Sequence, residues 1–215
     1  VGGPEVEPEN DWLWGSRTFQ AAVSGEGEES FVQVLDALSH GASLDGGSGL
    51  RLGAAPNNAP ATCPWVDLAR LPSPYLSGFL DPSPDGTVWL ETLRGCPFRC
   101  AYCRYGKSYR GPRSFPPDWI PRHLAWASKR DVAEIYLMDP SFNVRSDWEA
   151  VLGALEHGNR KRRMALHTEL VADFLRPGDA ARLAGAGLRS CEIGLQTVGG
   201  DALARVRRSW NRKRW

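Results

Sequence analysis

The sequence predicts an α/β protein: about four consecutive βα units, preceded by the end of a Rossmann-like α/β segment. Three observations predict it. From Thr87 onward, short β-branched and aromatic runs alternate with helical patterns; a Gly-, Pro-, Ser- and Asn-rich stretch separates this part from residues 1–40; and polar, reactive side chains collect where the apolar strand runs end. Strand–helix alternation at this rhythm implies right-handed crossovers and a parallel sheet, either doubly wound or part of a β/α barrel.

Residues 1–40 open on the glycine turn Gly2-Gly3 and continue through a polar, Trp-containing segment to a short strand at Ala21-Ala22-Val23-Ser24. The turn Gly25-Glu26-Gly27-Glu28 follows, then a helix with apolar positions Phe31, Val32, Val34, Leu35 and Leu38. Glu28 and Glu29 suit the positive end of that helix. Residues 41–86, with prolines at 72, 74, 82 and 84, read as a linker or wrapping arm with at most short strands. Residues 87–215 carry the repeating units. Strands are expected at Thr87–Glu91, Ala133–Met138, Arg163–His167 and Ser190–Leu195, with helices at about 118–130, 147–155 and 178–186 and a last one from Asp201. Working residues belong at the carboxyl ends of such strands. Cys96–Cys103, Asp139 and Asn143, His167 and Glu169, and Gln196 fall there.

The 26 Lys+Arg and 25 Asp+Glu give a formal net charge of +1, which argues against nucleic acid as the main partner. No apolar run reaches the ~18–20 residues of a membrane span, so no membrane association is expected. The chain has five cysteines, an odd number, with three crowded together. That pattern suits a metal or cluster site in a reducing cytoplasm better than a disulfide framework. The opening Val1-Gly2-Gly3-Pro4 and the ending Arg212-Lys213-Arg214-Trp215 both look cut, and a fragment of a longer protein is expected.

The stretch Arg94-Gly95-Cys96-Pro97-Phe98-Arg99-Cys100-Ala101-Tyr102-Cys103 spaces its thiols C-x3-C-x2-C. Thiolates are the soft ligands of iron–sulfur clusters, and so short a loop can bring three of them to three corners of one cubane. With no fourth thiolate in the loop, one iron could stay open to a small molecule. Gly95 and Pro97 help the chain turn tightly. Zinc and three unrelated thiols are the rival readings, but structural zinc sites want four ligands and no second C-x-x-C or His pair is present.

This triad, with Tyr102 just before its last cysteine and directly after a barrel-like first strand, resembles the radical S-adenosylmethionine (SAM) superfamily. The resemblance covers roughly residues 87–215 and implies a partial β/α barrel. It also implies a [4Fe–4S] cluster on Cys96, Cys100 and Cys103 whose open iron chelates S-adenosylmethionine, cleaved there to a 5′-deoxyadenosyl radical. Other positions match the family less closely. Asp139-Pro140-Ser141-Phe142-Asn143 stands where the family often has Gly-Gly-Glu, so Asp139 or Asn143 is expected to take over that contact. Glu192-Ile193-Gly194-Leu195-Gln196-Thr197 resembles the family's fourth-strand signature, which puts Gln196 near the cofactor. Tyr102 and Glu169 complete the candidate cofactor contacts. His167 and Glu169 share a face of strand three and could bind a ligand, relay a proton or pair with one another.

His40, His123 and His157 read as surface residues, Cys191 as a small buried hydrophobe, and Cys63 as a thiol without a role.

The glycine turns of residues 1–40 and the Leu71-Pro72-Ser73-Pro74-Tyr75 approach resemble the subset of the family with an amino-terminal cobalamin-binding domain. That subset implies cobalamin and methyl transfer or rearrangement on a small organic molecule, with a reducing electron-donor protein as partner. Two other readings stand beside it. The basic, Trp-containing tail from Arg205 to Trp215 fits an RNA-modifying radical enzyme. A cluster with a fourth protein ligand fits an electron carrier or sensor.

Overall fold

The computed structural model describes residues 1–3, 5–7, 10–16, 18–42, 50–52, 65–105 and 111–208. The chain divides into two units, Val1–Leu71 and Pro72–Trp215. The expected linker, residues 41–86, is therefore shared out: its last part, from Pro72, belongs to the unit that carries the cysteines.

The first unit holds helix α1 (Asp11–Gly15), strand β1 (Ala21–Val23), helix α2 (Glu28–Ser39) and strand β2 (Leu50–Leu52). β2 pairs antiparallel with β1, and Gly2 bridges Val23 in the parallel sense on the other side. Asn10 caps α1 by accepting from Leu13 N at 3.2 Å. Gly25, at φ 75°, makes the turn before α2. Glu26 there is buried and its carboxylate accepts from Val66 N at 2.7 Å. Of the apolar residues on α2 only Val34 is buried; Phe31, Val32, Leu35 and Leu38 are exposed.

The second unit is a four-stranded, all-parallel sheet in the order β3 (Thr87–Leu90), β6 (Glu134–Leu137), β7 (Ala165–Leu170), β8 (Leu188–Ile193). Between β3 and β6 comes a two-stranded antiparallel clasp, β4 (Leu93–Arg94) with β5 (Arg113–Ser114). Helices α3 (Trp119–Ala127), α4 (Trp148–Gly158) and α5 (Asp179–Ala186) make the crossovers, α3 packing on α4 and α4 on α5. Strand order follows chain order without reversal. That is barrel winding; a doubly wound sheet would reverse at a switch point.

Alternation along the strands separates two faces. Val88, Leu90, Ile135, Leu137, Leu166, Thr168 and Leu170 are buried, whereas Trp89, Tyr136, Met138, His167 and Glu169 on the opposite parity are partly or largely exposed. The helices contribute Leu124, Leu152, Leu155 and Leu183, each 1% exposed or less, to the core. α3 carries Pro121 in its first turn, where no intrahelical donor is lost. α6 (Gly200–Arg205) closes the described chain.

Three expectations are corrected. His123 is buried, not a surface residue: its Nδ1 donates to Trp119 O at 2.7 Å, leaving Nε2 to accept from Ser73 Oγ at 2.7 Å. Burial holds this imidazole below its ordinary value, in the neutral form that this pattern needs. Cys191 is exposed, because β8 has a strand partner only on its β7 side among the described residues. The third strand starts two residues later than expected, since Arg162 (φ 47°) and the bond from Met164 N to Asn159 Oδ1 keep residues 160–164 in a turn.

That turn hangs on Asn159, 2% exposed, whose Nδ2 donates to Met164 O and to Ala186 O, both at 2.8 Å. Asn159→Ala leaves two buried carbonyls and one buried N–H without partners. It should cost about 3 kcal/mol, read as a lower urea midpoint at unchanged slope.

Candidate metal centre

The cysteine loop leaves the sheet through the β4–β5 clasp, which pairs Leu93 with Ser114 and Arg94 with Arg113. Gly95 follows at φ 101°, and the carbonyl of Gly111 fills the space a Cβ would need, so no other residue fits. Its N–H donates to Tyr105 Oη at 2.9 Å. Cys103 N donates to Cys100 O at 3.1 Å, curling the second half of the loop into a turn. Cys100 is buried, and Cys96 and Cys103 are half-buried.

Cys96 senses the other two cysteines. Burial pushes the Cys96 thiol up, the Phe98 N–H and Ser141 hydroxyl pull it down, and the fields of Cys100 and Cys103 raise it again. Three thiols gathered in one short loop form a soft donor set of the kind that iron takes. Among the described residues no three His, Cys, Asp or Glu side chains converge as a single ion would need. A cubane spreads its ligands over separate irons instead, and the residues present fit it.

Segments that follow β7 and β8 in the chain reach this loop. Arg208 Nη1 lies 3.6 Å from Cys100 Sγ, its guanidinium sits 4.6 Å over the Phe98 ring, and Val206 O accepts from Ala101 N at 3.0 Å. Phe98 meets Phe174, in the 3-10 turn after β7, edge-on at 5.9 Å. Tyr102 is exposed beside Cys100; burial, then Cys100, raises its phenol.

Beneath the loop, Asp139 is wholly buried at the end of β6. Its carboxylate accepts from Thr92 N at 2.7 Å, Leu93 N at 3.0 Å and the Thr92 hydroxyl. Arg145 lies 3.5 Å from Asp139 and 2.7 Å from Asp147, and donates to Thr92 Oγ at 2.8 Å. Burial raises Asp139 to about 6, against the lowering effect of these bonds and of Arg145. Asn143 makes a two-way bridge to Val171, donating to its O at 2.9 Å and accepting from its N at 2.8 Å. Asp139 and Asn143 thus both bind protein groups and knit the loops after β3, β6 and β7 together.

On the exposed face of the sheet, His167 Nδ1 is 2.6 Å from Ser190 Oγ and its ring 4.4 Å from that of Tyr136. Its Nε2 stands 3.7 Å from Glu192. Burial, then the neighbouring Glu192, raises Glu169. Gln196, exposed at φ 66°, folds its amide back over Gly194, where a Cβ would collide with it. Cys63 and the tail from Ser209 to Trp215 lie outside the described residues.

A family model described as "Radical SAM superfamily" matches residues 90–215, more than half of the chain. The chain belongs to the radical SAM superfamily. Membership implies the family's cofactors, a [4Fe–4S] cluster and S-adenosylmethionine. The chain is 27% identical over 159 residues to 2-(S-pantetheinyl)-carbapenam-3-carboxylate methyltransferase of Streptantibioticus cattleyicolor, covering 67% of this chain and 23% of that protein. It is 26% identical over 158 residues to the cobalamin-dependent radical SAM methyltransferase TokK of Streptomyces tokunonensis, with the same 67% and 23% coverage. The radical SAM methyltransferase TsrM of Kitasatospora setae, solved with tryptophan substrate and a SAM analogue, shares the fold. It superposes with a TM-score of 0.71 at 17% identity, over 99% of this chain and 45% of that one. The chain therefore spans about a quarter of these curated relatives and under half of the solved one. No helix among the described residues is long and apolar enough to cross a membrane.

Sequence reasoning gave no site role to Thr92 or Arg145 and read Arg208 only as part of a basic tail. Each is an unremarkable residue type whose role appears only when separate loops meet.

The Asp139 clamp sets a pH dependence. Its folded value lies above the ordinary carboxylate value, so the folded state holds more protons between about pH 4 and about pH 6. Stability through this group therefore falls as pH rises through that window. Urea unfolding should show that slope in the wild type and not in Asp139→Asn. Arg145→Met removes the one cation beside this buried carboxylate, leaving only its hydrogen bonds, and should cost about 3 kcal/mol.

Proposed function

We propose that this chain is the cluster-bearing part of a cobalamin-dependent radical SAM methyltransferase acting on a small organic molecule, in which Cys96, Cys100 and Cys103 ligate the [4Fe–4S] cluster. The observation that carries the reading is the set of three free thiols on one short loop at the carboxyl ends of a barrel-wound sheet. A loop with three thiolates leaves one iron for S-adenosylmethionine. When bound, the cluster supplies the electron that cleaves S-adenosylmethionine.

The protein's own part is to hold and shield. The Asp139–Thr92–Arg145 clamp fixes the root of the loop. Phe98 and Arg208 cover its outer side, and Asn143 ties the adjoining loops. Tyr102, Glu169 and Gln196 remain available to the cofactor or substrate, and Asp139 and Asn143 act by positioning the backbone around it.

Cobalamin follows from the relatives. TokK is named as cobalamin-dependent, and TsrM has also been solved with cobalamin and a [4Fe–4S] cluster bound, with a TM-score of 0.69 at 17% identity. The fold likeness to TsrM takes in the first unit here as well as the sheet. A reducing, cytoplasmic setting and a protein electron donor fit a thiolate-held cluster. Near-neutral net charge weighs against the RNA-modifying reading.

Anaerobic reconstitution followed by electron paramagnetic resonance tests this. A [4Fe–4S]⁺ signal that shifts on adding S-adenosylmethionine is expected, and iron content should collapse in each of Cys96→Ala, Cys100→Ala and Cys103→Ala. A cluster whose signal ignores S-adenosylmethionine would mean an electron carrier, and full iron content in all three variants would overturn the ligand assignment. Cobalamin dependence is read separately, as methyl transfer by the whole protein with and without added cobalamin.

A further inference from the structure

We infer that Arg208 is a positioning residue for the cluster, its guanidinium donating a hydrogen bond to the Cys100 sulfur and so raising the cluster's reduction potential. The inference rests on the reading that Cys100 ligates the cluster.

Arg208 stands 108 positions beyond Cys100, and a built helix end brings the two together. α6 finishes in a Schellman cap, with Arg208 N donating to Leu203 O at 2.9 Å and Arg207 N to Ala204 O at 3.0 Å. Arg207 takes the left-handed position of that cap, at φ 54°, and so turns the chain back toward the cysteine loop. Leu203, where the cap bonds end, is buried. Val206 O accepts from Ala101 N at 3.0 Å, which fastens the cap to the loop between Cys100 and Cys103. From this seat Arg208 Nη1 reaches Cys100 Sγ at 3.6 Å, while the guanidinium lies 4.6 Å over the Phe98 ring. A cation is thereby fixed on one sulfur.

Arg94, Arg145 and Arg182 are each paired with a carboxylate. Among the described residues Arg208 has no such partner, and its charge faces sulfur. A neutral thiol accepts weakly, which suits the long separation. A ligating thiolate carries negative charge and accepts strongly from a guanidinium. Arginine stays charged at every working pH, so the field at Cys100 is permanent. That field stabilises the reduced, more negative form of the cluster more than the oxidised one, and reduction is eased. Arg208 is half-buried, and Phe98 with Phe174 edge-on at 5.9 Å shelters one side of the pair, which limits screening by water.

The test is an electron paramagnetic resonance-monitored redox titration of the reconstituted full chain, without S-adenosylmethionine. Wild type is compared with Arg208→Met and Arg208→Lys, with iron content measured in parallel. Arg208→Met, which loses both charge and donor, should shift the midpoint potential to more negative values at unchanged iron content. Arg208→Lys, which keeps the charge, should bring it back toward wild type. Leaving out S-adenosylmethionine separates this role from that of a residue serving only the bound molecule. An unmoved midpoint in Arg208→Met would overturn the inference, whether or not S-adenosylmethionine binding weakens. Failure of the wild type to bind a cluster would instead overturn the reading beneath it. Should Arg208→Met lose iron, Arg208→Lys is compared with Arg208→Gln: the lysine variant should have the higher potential, and equal potentials would overturn the inference.

Discussion

A buried carboxylate holds this domain's working end together. Asp139 has left water entirely, and it is offset by two backbone N–H groups, a hydroxyl and a guanidinium arriving from two other segments. Burial of a charge is tolerable only with such a full set of partners. The set comes from Thr92 and Leu93, which begin the cysteine loop, and from Arg145, which leads into α4. The root of the loop is therefore placed by the sheet's second strand, well away in sequence from the cysteines. Asp147 completes the chain of charge: burial raises it, but Arg145 outweighs that and holds it low.

From that anchor the rest follows in layers. The clasp of β4 and β5 narrows the exit and entry of the loop, and Gly95 makes the turn that only glycine can make there. Trp119 reaches back to Glu91 O at 3.0 Å and stacks on Phe115 at 4.6 Å, so α3 is docked on the same strand end. His123 and Ser73 tie the incoming Pro-rich approach to α3. Reactive groups thus sit on loops, but each loop is fastened to a strand or helix terminus, the usual arrangement for chemistry that needs fixed distances.

Much of this was legible in the sequence. The period-2 runs at Thr87, Ala133 and Ser190 and the apolar helical patterns between them located every unit of the sheet to within a few residues. The C-x3-C-x2-C spacing pointed to the centre because a local loop can be read locally. What was not legible is what depends on distant partners. A strand of two residues, such as β4, has no periodicity to detect. His123 looks like a surface residue until Ser73, fifty positions earlier, is brought to it. Arg145 reads as an ordinary helix-flanking cation, and Arg208 as part of a basic tail. On α2 the apolar pattern was real but overstated burial, since Val34 alone lies in the described core.

The face of the sheet opposite the helices has a chemical vulnerability as well as a shape. The protein has two methionines. Met164 is 2% exposed, shielded within the turn that Asn159 organises, whereas Met138 is 46% exposed immediately before the buried clamp. Sulfoxide formation follows exposure and turns an apolar thioether into a polar group. Of the two methionines, Met138 is therefore the one that a peroxide reaches first, one peptide bond away from Asp139. A mass shift of one oxygen on that peptide, without one on the Met164 peptide, would record that difference in exposure.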